Sequence, residues 1–155
     1  MDTTLTDKPS FSFSLRTISF IILIVAIGVS GYLTYEKFTD ANAPCVDNGA
    51  FDCGTVLNSA YSEIAGIPIA LLGLITNLII FSLLLLETRV EFFENNALAL
   101  IFGVNLFTFL FSVYLVYLQA EVIQAYCIWC LSHEALVTAL FVMSTTRLVQ
   151  DLRGN

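Results

Sequence analysis

Four long runs nearly free of charge limit this chain's fold more than any other feature. The first covers about Leu15–Tyr35 (LRTISFIILIVAIGVSGYLTY), the second about Ile67–Leu86, the third about Ala97–Leu118 and the fourth about Cys127–Thr146. Each is close to the ~20 residues that a helix needs to cross a bilayer. In lipid only helices and closed barrels satisfy their own backbone. These runs are continuously apolar and do not alternate, so they read as helices and not as barrel strands. The expected fold class is an all-α integral membrane protein: a four-transmembrane-helix bundle forming a single membrane domain over 1–155.

Composition agrees. Of 155 residues, 57% are hydrophobic and 12% charged, against roughly 45–50% and 25% in soluble domains. A net charge of −7 with six Lys and Arg excludes nucleic acid as a natural partner and leaves the lipid bilayer. The first run is read as a retained span and not a cleaved leader. Its apolar core exceeds the usual leader length, and Pro44 would follow the Ala41-x-Ala43 site.

Topology follows from the cations. Lys8, Arg16, Arg89, Arg147 and Arg153 fall on the side shared by both termini and the second loop, and Lys37 alone falls in the first loop. That places both termini in the cytoplasm and makes the protein multi-pass in the cell membrane. The first loop, about Glu36–Gly66, then faces outward with Cys45 and Cys53. The short third loop, about Gln119–Tyr126, also faces outward, so Cys127 and Cys130 open the fourth span from the same side. All four cysteines gather at the extracytoplasmic face, where disulfides persist.

Part of the first loop, CGTVLNSAYSEIAGIP, carries Val56, Leu57, Ala60, Tyr61, Ile64 and Ile67 at helical spacing. This predicts a short amphipathic surface helix, ended by Gly66, with Pro68 opening the second span. It is either a structured connector or a lid over a site between the spans.

The chemistry sits in Y126-CIWC-LSHE134. Two cysteines on one helical turn can close a disulfide, and a helix N-terminus favours the thiolate that does exchange. A zinc site fits poorly, because the other two cysteines are eight residues apart. Alone, Cys45 and Cys53 read as a structural disulfide. Beside Cys127 and Cys130 they form a possible relay, since exchange proceeds through mixed disulfides. An acceptor at the lipid boundary suggests a quinone in an apolar slot. Glu134 shares a helix face with both cysteines of the CxxC and should lie ~6 Å beneath Cys130. An ionisable group within a span is costly and points to function, here proton transfer or a quinone site. His133 lies on the adjoining face, either as a proton carrier or snorkelling outward. Asn77 and Asn105 fit helix–helix hydrogen bonds.

The order of these pieces resembles the vitamin K epoxide reductase family. The match rests on Cys45 and Cys53, the block CGTVLNSAYSEIAGIPIALLG with Ser59 and Gly66-Ile67-Pro68, and YCIWC, over about residues 15–147. The resemblance implies a four-helix bundle around a quinone of ubiquinone or menaquinone type. It implies that Cys127 exchanges with a loop cysteine while Cys130 faces the quinone. Ser59 matches a recurring serine or threonine of the surface helix. The partner implied is a separate thioredoxin-like periplasmic or extracytoplasmic protein. LSHE lacks the tyrosine of animal members, which favours a microbial quinone-coupled oxidase supporting disulfide formation in exported proteins. The other quinone-linked disulfide-forming family carries its CxxC first, the reverse order. Alternatives are a quinone or vitamin K epoxide reductase driven by an external dithiol, and a structural membrane subunit stapled by two disulfides.

Overall fold

The computed structural model describes residues 8–39, 49–87 and 91–154, with side chains from Ser14, Gly49 and Ala97 onward in the three stretches. Cys45, Lys8 and Arg89 therefore lie outside the residues whose side chains are described. Helix α1 spans Lys8–Thr39, and α2 is one short helix, Cys53–Leu57. Strands β1 (Glu63–Ile64) and β2 (Ile67–Pro68) form an antiparallel hairpin. Then come α3 (Ile69–Leu86) and α4 (Glu91–Tyr117), a π-helical turn (Leu118–Ile123) and α5 (Ile128–Gly154).

Four of these helices are long and apolar enough to cross a membrane: Ser14–Thr39, Ile69–Leu86, Ala97–Ile123 and Ile128–Arg153. This is the expected multi-pass bundle. Helix α1 packs on α3 and α5, and α4 packs on α5 and α3, closing a ring of four. Toward one end the core holds Leu23, Ile80, Leu84, Ala97, Ile101 and Leu140. Phe109 and Phe141 stack with centroids 4.6 Å apart, joining α4 to α5. Ile21, Ile24 and Leu110 remain exposed on the outside, where lipid would solvate them.

That end is closed by charge. Glu87, at the C-cap of α3, pairs with Arg147 of α5 and lies 4.0 Å from Arg16 of α1. Arg16 also donates to the Leu84 carbonyl at 3.1 Å. Two of the cations that set the expected topology are thus bolts between helices.

The first span runs on past Tyr35 to Thr39. The sequence reading stops it at Glu36 and Lys37, but Lys37 is satisfied inside the fold. Its ammonium donates to the Leu57 carbonyl at 2.8 Å and the Ser62 hydroxyl at 3.1 Å, and pairs with Glu63 at 3.1 Å. The helix therefore continues and pins the segment 52–68 as a cap across the bundle.

The cap corrects one expectation. Helix ends at Leu57, and the residues to Pro68 are turns and a hairpin. Asn58 closes α2, Ser59 donates to the Val56 carbonyl at 2.9 Å, and Ser62 to the Ser59 carbonyl at 2.8 Å. Such local side-chain bonds compete with helix. Ala65 and Gly66 then take φ of 52° and 79°, the backbone of a tight primed hairpin turn. Gly66 is a turn residue and not a helix stop. Pro68 does sit at the N-cap of α3, as expected.

Candidate functional site

Local chemistry builds the cap side first. Asp52 is the N-cap of α2: its carboxylate accepts the Thr55 amide at 2.9 Å and the Thr55 hydroxyl at 2.6 Å. These bonds, the hydroxyl's foremost, hold the Asp52 carboxyl below its ordinary range. The capped turn places Cys53 at the first helical position, 1% exposed.

The approach to α5 is built by pairing. Phe51 and Tyr126 form a parallel bridge, with the Asp52 N–H on the Tyr126 carbonyl at 3.0 Å and the Tyr126 N–H on the Ala50 carbonyl at 2.9 Å. This stitches the first loop to the residue before the CxxC. Cys53 and Cys127 consequently share one buried cluster with Leu33, Val56 and Ala125. Trp129 packs against that cluster and meets Tyr32 of α1 at 5.1 Å between ring centroids.

Cys127 precedes α5 and acts as its cap: its Sγ accepts the Cys130 N–H at 3.2 Å. A sulfur in that place meets the positive end of the helix. Cys127 and Cys130 are free thiols, whereas Cys53 is disulfide-bonded.

Below them lies a cavity of about 300 Å³, roofed by the cap and walled by all four long helices and the π-turn. Cys130 is on its wall; Cys127 and Cys53 are not among the residues lining it. Glu134 also lines it, with its carboxylate accepting the Ser112 hydroxyl of α4. His133 lines it too, which corrects the outward-snorkelling alternative. Its Nε2 lies 3.0 Å from the Asn77 side-chain nitrogen, which also donates to Ser30 at 3.2 Å. The Ser30 hydroxyl in turn donates to the Ala26 carbonyl at 2.8 Å. A buried amide across three helices draws the imidazole inward, because each group would otherwise be orphaned. Ser59 stands on the cavity roof.

Asn77 thus bridges helices as expected. Asn105 does not follow: its amide donates to the Ile101 carbonyl of its own helix at 3.0 Å. Sequence reasoning missed Lys37, Ser112 and Gln119, all on the cavity. Lys37 was legible as the sole cation of the cysteine side. Ser112 sits in mid-span with no local sign of a partner.

The exposed wall is mainly aliphatic and aromatic, and polar side chains including Cys130, His133, Glu134, Ser59, Lys37, Ser112 and Gln119 punctuate it. The residues therefore fit a flat apolar ring with polar edges, and the volume is at the lower bound of small-molecule pockets.

A model of the vitamin K epoxide reductase family matches residues 17–145. The chain belongs to that family. It is also 31% identical over 120 residues to the thiol-disulfide oxidoreductase LTO1 of Arabidopsis thaliana, a match covering 74% of this chain and 32% of the relative. The chain thus spans about a third of that relative's length.

Proposed function

We propose that this protein is a membrane thiol–disulfide oxidoreductase that passes electrons from an external dithiol protein to a quinone. Cys45 and Cys53 receive them from a separate thioredoxin-like partner, which leaves as its disulfide. Cys127 then takes over the electron pair by exchange with the loop, and the CxxC becomes a dithiol. A bound quinone, of ubiquinone or menaquinone type, supplies a sink for two electrons and two protons.

The observation that carries the reading is the placing of the sulfurs. Cys127 shares a buried cluster with Cys53, on the loop side, and Cys130 packs against that cluster and, alone among the described cysteines, lines the cavity. A relay needs one sulfur toward each neighbour. The family match and the thiol-disulfide oxidoreductase activity for which the plant relative is named support the same chemistry.

The remaining residues take roles around that cavity. Glu134 and His133 lie next along α5 and would hold and deliver protons at its wall. Ser59 and Lys37 hold the roof and keep water from the reacting sulfur. The cysteines face the extracytoplasmic side and both termini the cytoplasm, as the cation bias suggests. Exported proteins are then the final substrates.

The test is a pair of variants, Cys127→Ala and Cys130→Ala, in cells and as purified protein. The reading expects both to stop disulfide formation in exported proteins and reduction of a short-chain quinone by dithiothreitol. Unchanged rates in both variants would rule it out.

A further inference from the structure

A capping box satisfies two N–H groups reciprocally. The cap side chain accepts the N–H three residues on, and that third residue's side chain returns a bond to the cap N–H. Helix α5 starts on half of this arrangement, with Cys127 Sγ on the Cys130 N–H at 3.2 Å. Cys130 does not return the bond, and a thiol is a weak acceptor. The return comes from another element. The side-chain carbonyl of Gln119 accepts the Cys127 N–H at 3.0 Å.

Gln119 is built for that reach. It is 3% exposed and sits in the six-residue π-turn that ends the third span. Such turns shift the helix register and recur at functional sites. Its backbone carbonyl accepts the Gln124 N–H and, at 3.2 Å, the Ala125 N–H, while Gln124 turns the chain at φ 56°. Side chain and backbone of one residue thus hold the Gln124, Ala125 and Cys127 amides on the approach to the CxxC, beside the Phe51–Tyr126 bridge.

We propose that Gln119 is a positioning residue for the Cys127–Cys130 pair, carrying the capping bond that would otherwise fall to Cys130. Both sulfurs then stay free to change partners. This rests on the reading that the CxxC exchanges electrons. In the dithiol, the Sγ cap and Gln119 together hold the helix start. On oxidation the two S–H bonds break and one S–S bond forms. Two protons and two electrons leave to the acceptor, a quinone or an oxidised dithiol reagent, and the covalent link fixes the geometry. Loss of Gln119 therefore weakens the dithiol more than the disulfide.

The experiment uses the full chain, purified in detergent and equilibrated in reduced and oxidised dithiothreitol. Gln119→Met removes the acceptor at similar size, and Gln119→Glu keeps an acceptor. The expected result is a shift of the Cys127–Cys130 equilibrium toward disulfide by about three- to tenfold in Q119M, the worth of one hydrogen bond. Q119E should return to within about twofold of the parent. An unshifted Q119M, or a Q119E shifted equally, overturns the proposal, because a merely space-filling glutamine would lower stability without moving this equilibrium. A second measurement needs no variant. The Cys127 amide of the parent should exchange slowly with deuterium, and fast exchange also overturns the proposal. Cys127→Ser separates the two levels: turnover of dithiothreitol and short-chain quinone surviving in C127S removes the underlying reading, whereas an inactive C127S beside an unshifted Q119M removes only the role of Gln119.

Discussion

Phe51 and Tyr126 pair as strand neighbours from opposite parts of the chain, and their backbone bonds carry Cys53 and Cys127 into one buried cluster. Proline cannot donate to such a bridge. Tyr126→Pro removes the bond to Ala50 and should slow oxidation of a protein dithiol at least about tenfold, one lost hydrogen bond with its alignment. Quinone reduction driven by dithiothreitol, a small dithiol that needs no protein docked at the loop, should change far less. Stopped-flow traces with each donor give the ratio.

Glu134 is held by Ser112 on the cavity wall beside Cys130. Glu134→Gln keeps the size and removes the proton. If the carboxyl serves the quinone step, that step should fall by about 10²-fold, the usual scale for a general acid. Exchange between partner and loop should be unaffected. Single-turnover absorbance of the quinone checks the first statement, and gel-shift alkylation of the partner checks the second.

Glu87 joins Arg147 and Arg16 at the end away from the cysteines. Glu87→Gln leaves the Arg147 guanidinium, 6% exposed as a residue, without its counter-charge. The expected loss is ~3 kcal/mol of stability, because stranding a buried charge costs more than the pair contributes. Thermal unfolding in detergent reads it, and the redox equilibrium of the CxxC should stay put.

The Asp52 cap responds to acid. Its carboxyl is depressed by the Thr55 hydroxyl and amide, so its contribution is complete above the unfolded value near 3.8 and disappears as pH falls through the folded one. The protection of the Thr55 amide, its exchange relative to an unstructured peptide at the same pH, should therefore fall on acidification into that window. Asp52→Ala should abolish that protection at every pH.

Much of this was legible from run length and order. Four stretches nearly free of charge imply four spans wherever water is excluded, and Pro68 marks the start of α3 in the structure as in the sequence. The CxxC announced itself by spacing. What stayed hidden depends on partners distant in sequence. Val56, Leu57, Tyr61 and Ile64 follow helical spacing, yet only Val56 and Leu57 are helical, and Ser59, Ser62 and the positive φ of Ala65 and Gly66 fold the rest as turns and a hairpin. Lys37 looks like the end of a span until Leu57, Ser62 and Glu63 are seen around it. His133 turns inward only because Asn77 waits there. Nothing local marks Leu118–Ile123 as a π-turn, so Gln119 read as loop. Cys45, expected beside Cys53, lies outside the described residues.

The most direct test of the relay is a trap. In Cys130→Ser the inner pair cannot close, so a Cys127 that attacks the loop disulfide has no resolving neighbour. Non-reducing peptide mass mapping should then find Cys127 joined to Cys45 or Cys53. A Cys127 recovered as free thiol beside an intact loop disulfide would contradict the account.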